Sequence, residues 1–141
     1  MSVTVRPARD LDRAAAVLRT LRHSLPQEVF DRRLAAARDD GYVVLEAHDG
    51  DLILGVLGYR IVVDVCWGRT LFVDDLVVAQ IARGQGIGGA LLGEAKARAQ
   101  ALRCDHLRLC SGLDRRDAHR FYEAHGLSRS SFQFVLALSK V

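Results

Sequence analysis

The period of hydrophobic positions changes several times along the chain, and each change marks a predicted element. Residues 3–6 have the pattern of a short strand. Residues 9–22 carry leucines and alanines at helical spacing, with Asp10 or Asp12 as the N-terminal cap or first-turn acid. Residues 26–41 follow as a second helix, opened by a proline and ended by a glycine. The chain is therefore predicted to begin with a strand and two helices.

The middle of the chain changes to the pattern of β-strands. Strands are predicted over 42–48, 52–66 and 70–78. The sequence Asp-Gly at 49–50 is a hairpin signal, and residues 67–69 form a second tight turn. Because strands joined by short turns run antiparallel, this region predicts an antiparallel meander.

The last part of the chain alternates helices and strands. Helices are predicted over 87–102 and 114–125, and strands over 106–110 and 132–138. The helix at 87–102 joins two strands as a crossover, which implies parallel pairing at that point. The element order is β-α-α-β-β-β-α-β-α-β. This order predicts an α/β (α+β) fold in one domain, residues 1–141, with a mixed, mostly antiparallel central sheet flanked by helices.

Composition narrows the class of protein. Of 141 residues, 50% are hydrophobic and 26% are charged, which is the balance of a soluble globular domain. We find no apolar run long enough to cross a bilayer and no signal-peptide pattern at the N-terminus. A cytoplasmic protein without a membrane partner is expected.

The formal net charge is +3, yet the basic residues are spread along the whole chain. Without a dense basic block or interleaved aromatic residues, nucleic acid is not an expected partner. A mildly positive field suits an anionic cofactor equally well.

The cysteine count is odd. Cys66, Cys104 and Cys110 have irregular spacing, which argues against a disulfide framework and for a reducing compartment. A metal site is not expected, because three ligands on one strand would lie too far apart and no second cluster completes the shell. The cysteines are interpreted as small residues that fill the core.

The strongest candidate for chemistry is a glycine-rich loop between a strand pattern and a helix pattern. Residues 83–88 read Arg-Gly-Gln-Gly-Ile-Gly. Amides at a helix N-terminus, together with the cation of Arg83, suit an anion such as a pyrophosphate. A plain tight turn is the alternative. Gly84, Gly86 and Gly89 also match the dinucleotide fingerprint, although the strand ends five residues too early for it.

Two adjacent acids interrupt an apolar strand. Asp74 and Asp75 point to opposite faces of the strand unless a bulge intervenes. One of them can pair with Arg60 on the preceding strand, and the other can face a substrate pocket.

Two motifs resemble the signatures of the GNAT superfamily of N-acetyltransferases. The first is Arg83-x-x-Gly86-x-Gly88, which follows a Leu-Val-Val strand end and precedes Ala-Leu-Leu. The second is the segment 118–127, Ala-His-Arg-Phe-Tyr-Glu-Ala-His-Gly-Leu. The element order is similar as well, so the resemblance covers nearly the whole chain.

The resemblance implies where acetyl-CoA binds. The loop amides would hold the CoA pyrophosphate, and the strand end would pair with the pantetheine arm and polarise the acetyl carbonyl near Val78. Many family members have Asn where this chain has Arg115, so Arg115 could instead meet a CoA phosphate. The implied cofactor-binding residues are Val77, Val78, Arg83, Gly84, Gln85, Gly86, Ile87, Gly88, Gly89, Arg115 and His119.

The resemblance also implies catalytic roles. Tyr122 would protonate the departing CoA thiolate, whereas its helical face alone would suggest a core aromatic residue. Asp74 would orient or deprotonate the amine, and His119 and His125 are weaker base candidates. The implied function is N-acetyl transfer from acetyl-CoA to a primary amine by direct attack in a ternary complex, without a metal.

Other functions stay open at this point. The first alternative is a non-catalytic acyl-CoA-binding sensor or interaction module, and the second is a dinucleotide-binding protein. The acceptor is a small-molecule or protein amine that no motif identifies. A homodimer is also open, because the strand predicted at 132–138 could pair across it.

Overall fold

In the computed structural model, residues 2–140 are described. The elements follow the predicted order as far as the last helix. They are β1 (Thr4–Pro7), α1 (Leu11–Arg19), α2 (Gln27–Asp39), β2 (Val43–Asp49), β3 (Leu52–Asp64), β4 (Gly68–Val78), a 3₁₀ turn (Gln80–Ala82), α3 (Ile87–Ala101), β5 (His106–Leu109) and α4 (Arg116–Ala124). The chain forms two compact units, which divide between Arg108 and Leu109.

The sheet has the strand order β1-β2-β3-β4-β5, and the pairs from β1 to β4 are antiparallel. The amide of Asp105 donates to the carbonyl of Arg69 at 2.7 Å, so β5 begins beside the start of β4. Two neighbouring strands that start side by side run in the same direction. The mixed, mostly antiparallel sheet with one helical crossover is therefore confirmed.

Local signals set the ends of the first helices. Asp10 caps α1, and its side chain accepts from the amide of Arg13 at 3.2 Å. The backbone of Pro26 is extended and precedes the first residue of α2. A proline is tolerated there because its missing N–H would have no partner in the helix.

The core of the first unit lies on both faces of the sheet: one part packs against α1 and α2, with Leu18 and Phe30 buried there, and the other packs against α3. Leu45, Leu57, Leu71 and Leu91 are fully buried. At Gly55 an added Cβ would lie 2.9 Å from the Val77 carbonyl and 3.1 Å from α3 side chains. This glycine therefore lets the helix pack closely on the sheet.

The strand predicted at 132–138 does not form. In the described part of the chain, residues 127–140 carry neither helix nor strand. The alternating apolar side chains are exposed, with Phe134 94% and Leu138 92% accessible. A strand depends on hydrogen bonds to a neighbouring edge, so alternation along the sequence cannot form one alone.

The cysteines are free, but they do not fill the core as expected. Cys66 and Cys110 are exposed and Cys104 is partly exposed. Cys66 lies in the turn between β3 and β4, where its side chain has no interior to fill.

Within residues 2–140, no group of three or more metal-ligating side chains converges. No helix in this part of the chain is long and apolar enough to cross a membrane.

Candidate active site

The glycine-rich loop connects the 3₁₀ turn to α3. Gly84 and Gly86 have φ angles of +77° and +79°, in the left-handed region that side chains disfavour. An added Cβ at either position would meet no protein atom within 4 Å. The glycines are therefore required by the path of the backbone, and that path leaves the loop open to solvent. Arg83 is exposed beside them.

The N-terminus of α3 has unpaired donors. Gly86 is the N-cap and offers no side chain to the helix. The first helical bond runs from the amide of Ala90 to the carbonyl of Gly86 at 3.0 Å. The amides of Ile87, Gly88 and Gly89 precede that bond, so they have no acceptor within the helix. This concentration of donors and of helix dipole can bind an anion.

The end of β4 presents an open edge. Val77 and Val78 pair with β3 on one side. The amide of Ala79 donates to the carbonyl of Leu54 on β3 at 2.8 Å, so by strand alternation the amide of Val78 points away from β3. β5 has four residues against eleven in β4. Since both strands start together, the Val78 edge extends past the assigned end of β5.

A β-bulge brings the two acids of β4 to one cavity. In the register with β3, Asp75 lies opposite Gly58 and Val73 lies opposite Tyr59. Asp74 therefore has no residue opposite it in the backbone pairing. The extra residue cancels the alternation of the strand, and both carboxylates line the same cavity. The two acids were expected on opposite faces unless a bulge intervened, and the structure contains that bulge.

Each carboxylate has its own partners. The guanidinium of Arg60 donates to both oxygens of Asp74 at 2.8 Å, and this pairing raises the pKa of Arg60. Asp75 accepts from Arg22 at 2.9 Å and from the Tyr42 hydroxyl at 2.6 Å. The sequence had left open which acid pairs with Arg60, and the structure assigns that pair to Asp74.

Tyr42 and Gly58 belong to this cluster, although no sequence motif singled them out. Tyr42 is buried, and an added Cβ at Gly58 would overlap its hydroxyl. The absence of a side chain at Gly58 thus lets the phenol reach Asp75 across β3. Burial is the main reason that the pKa of Tyr42 is raised, and Asp75 adds to it. An isolated glycine inside a strand was the available signal, because it often marks a bulge or a close approach.

We call the space beside these acids the helix–sheet cavity. Its volume is about 400 Å³, and it lies between the first two helices and the β3–β4 pair. Its apolar lining comes from Leu18, Leu25, Phe30, Leu34 and Ala37. Its charged lining comes from Arg22, Arg33, Arg60, Asp40, Asp74 and Asp75. The cavity can hold a small molecule that has both an apolar body and charged groups.

The second unit contains α4 and the candidate acid. Tyr122 is half-buried, and no residue of α4 is fully buried. Burial raises the pKa of Tyr122, and Arg115 opposes this shift. The phenol therefore keeps its proton at neutral pH, which a proton donor requires.

His119 in α4 and His125, which caps its C-terminus, both have backbone partners. A ring nitrogen of His119 lies 2.7 Å from the carbonyl of Gly112, and one of His125 lies 2.8 Å from the carbonyl of Phe121. Residues 114–118 at the start of α4 line a second cavity of about 300 Å³, with Arg115 as the N-cap. Arginines at a helix start can meet a phosphate.

Comparison with known proteins decides the family. Residues 10–127 match the acetyltransferase (GNAT) family. This chain is a GNAT acetyltransferase. It is therefore an acetyl-CoA-dependent acyltransferase that acts on an amine. Its resemblance to the family, first carried by the two sequence motifs, is confirmed.

Individual proteins agree with this assignment of the GNAT chain. It is 31% identical over 120 residues to the uncharacterized N-acetyltransferase YhdJ of Bacillus subtilis (strain 168). The aligned residues cover 84% of each chain. It is 41% identical over 66 residues to the aminoalkylphosphonate N-acetyltransferase of Salmonella typhimurium, covering 47% of this chain and 43% of that enzyme. A solved structure described as a transcriptional regulator from Bacillus halodurans C-125 superposes with a TM-score of 0.82, at 26% identity, over 97% of this chain and all of the other.

Proposed function

We propose that this acetyltransferase moves the acetyl group of acetyl-CoA to a primary amine by direct attack in a ternary complex. The observation that carries the proposal is the continuity of one stretch of chain. β4 first supplies two carboxylates to the helix–sheet cavity, then an open strand edge, and then the glycine-rich loop at the start of α3. Acceptor and cofactor sites would thus adjoin along one strand.

The loop and the strand edge would hold the cofactor. The amides between Arg83 and Gly89 would bind the CoA pyrophosphate, and the exposed cation of Arg83 would add to the attraction. The backbone of Val77 and Val78 would pair with the pantetheine arm like an added strand. The outward amide of Val78 would donate to the acetyl oxygen as negative charge develops there. Arg115 and His119 are further candidates for contacts with the cofactor.

The carboxylates would act on the amine. Asp74 and Asp75 would orient the incoming group, and this carboxylate pair or water would take the proton that the amine must lose. The amine nitrogen then attacks the thioester carbonyl carbon, and the carbon–sulfur bond breaks. Tyr122 would give its proton to the departing thiolate. Much of the rate would come from holding both substrates in reactive geometry.

Two observations support a small amine as the acceptor. The helix–sheet cavity, at about 400 Å³, has room for a small molecule. The matched enzyme of Salmonella typhimurium is named for acetylating an aminoalkylphosphonate, which is a small amine. Membership in the acetyltransferase family favours acyl-CoA over the dinucleotide alternative.

The direct test is product formation from acetyl-CoA across a panel of primary amines. Products are identified by mass, because Cys66 and Cys110 are exposed and would react with a thiol dye. Acetylated product from one amine class, with rates that saturate in both substrates and intersecting initial-rate lines, is the expected result. Parallel lines or a trapped acetylated protein would contradict direct attack. Binding of acetyl-CoA without any product would support the non-catalytic alternative.

A further inference from the structure

The charges of the helix–sheet cavity balance. Among the described residues that line it, three are arginines and three are aspartates, so the formal charges cancel. A cavity whose cations and carboxylates cancel does not favour an acceptor of either net charge. It complements an acceptor that itself carries one group of each sign.

The cation and the carboxylate lie in direct contact at one place. Arg22 is 2.9 Å from Asp75, and the two side chains are 46% and 13% exposed. Arg22 uses one guanidinium nitrogen for this contact, and a guanidinium has five N–H donors. An ammonium at Asp75 and an acidic group at Arg22 would therefore be separated by only one or two carbon atoms.

The rest of the cavity suits an apolar body. Leucine, phenylalanine and alanine side chains from the first two helices and the segment between them also line it. A polyhydroxylated acceptor would leave its hydroxyl groups unpaired against that surface.

We infer that the acceptor is a small zwitterion whose amine and acid lie on the same or neighbouring carbon atoms and whose side chain is apolar. The amine binds at Asp75 and the acid, a carboxylate or a phosphonate, binds at Arg22. The inference rests on the proposed function and assigns Arg22 as a specificity-determining residue.

The test compares matched amines. Leucine, its phosphonic acid analogue and 3-methylbutylamine share one apolar body and differ only in the acid, and spermidine represents a polycation. Rates are compared per concentration of neutral amine, since the acid group changes the amine pKa. We expect kcat/KM for one of the two zwitterions to exceed that of 3-methylbutylamine by about tenfold or more, the effect of one charge-assisted hydrogen bond. The ratio between leucine and its analogue identifies the acid.

A charge variant tests the residue. Arg22→Gln should lower kcat/KM for the preferred zwitterion by about ten- to hundredfold. It should not lower that for 3-methylbutylamine, because the change releases Asp75 to bind an ammonium. Arg32→Gln is the matched control, because Arg32 is an exposed arginine of α2 that does not line the cavity. That variant should keep the wild-type preference.

The outcomes separate this inference from the proposed function. Faster acetylation of 3-methylbutylamine or spermidine than of both zwitterions would overturn the inference and leave the acetyl transfer standing. If no amine is acetylated, calorimetry with the CoA-bound protein decides. Zwitterion binding that Arg22→Gln abolishes would retain the cavity assignment while the proposed function fails, and no binding would overturn both.

Discussion

Tyr122 is the residue whose protonation state bears most directly on the proposed chemistry. Its pKa is raised by burial, against the opposing charge of Arg115. Replacement by phenylalanine keeps the ring and removes the proton. We expect Tyr122→Phe to lower kcat by about a hundredfold, the usual lower bound for loss of a general acid. Acetyl-CoA binding, measured by calorimetry, should change little because the loop amides remain.

The pH profile provides a second measurement at this residue. Because the pKa is raised, the phenol keeps its proton beyond the ordinary tyrosine value of about 10. The wild-type kcat should therefore show no alkaline decline below about pH 10. A decline at pH 8 to 9, or an unchanged kcat in Tyr122→Phe, would assign proton donation to another group.

At the scale of elements, the bulge in β4 and the glycine opposite it together position the acids of the cavity. The bulge turns Asp74 and Asp75 to the same cavity, and Gly58 leaves room for Tyr42 to bind Asp75. Neither feature is sufficient alone, because a regular strand would separate the acids and a side chain at position 58 would displace the phenol. The arrangement depends on strand register, which extends over three strands.

Glycine-to-alanine variants test this arrangement. Gly58→Ala should destabilise the fold by about 1–3 kcal/mol through overpacking against Tyr42. The matched change Gly93→Ala, in an open position on α3, should stabilise it by about 0.5–1 kcal/mol because alanine favours helices. Urea unfolding measures both variants. Equal effects at the two positions would mean that Tyr42 can move away from residue 58 without a loss in the free energy of unfolding.

At the scale of the whole molecule, the buried phenol of Tyr42 links stability to alkaline pH. The pKa of Tyr42 in the folded protein is raised by burial and by Asp75. Above about pH 10 the unfolded chain loses this proton while the folded protein retains it. The unfolded state then binds fewer protons, so the free energy of unfolding falls as pH rises. The contribution is complete below pH 10 and is lost above it.

Denaturant unfolding between pH 8 and pH 11 measures this effect. The wild-type protein should lose stability steadily above pH 10. Tyr42→Phe should be less stable at pH 8, by about 1.5–3 kcal/mol for one hydrogen bond to a charged group, and should lose less on further alkalinisation. Parallel curves for the two proteins would show that Tyr42 does not titrate with unfolding.

Local patterns predicted most of the elements and the position of the glycine-rich loop. The meander and the crossover helix depend on neighbours within a few residues, so the sequence shows them directly. The prediction of a final strand at 132–138 was wrong. Alternating apolar residues specify which face of a strand would be buried, but they do not supply the neighbouring strand edge that it must pair with. The predicted roles of the individual site residues stay predictions.

The sequence by itself determined the order of helices and strands as far as α4, the family and the glycine-rich loop before α3, because turn chemistry and periodicity act over short distances. The tertiary structure alone decided that Asp74 and Asp75 share one cavity, which of them Arg60 holds, and that Tyr42 and Arg22 reach Asp75. These contacts join residues 14 to 53 positions apart, and a single bulge reverses the face of a side chain. Such pairings follow from strand register and packing, which no local pattern specifies.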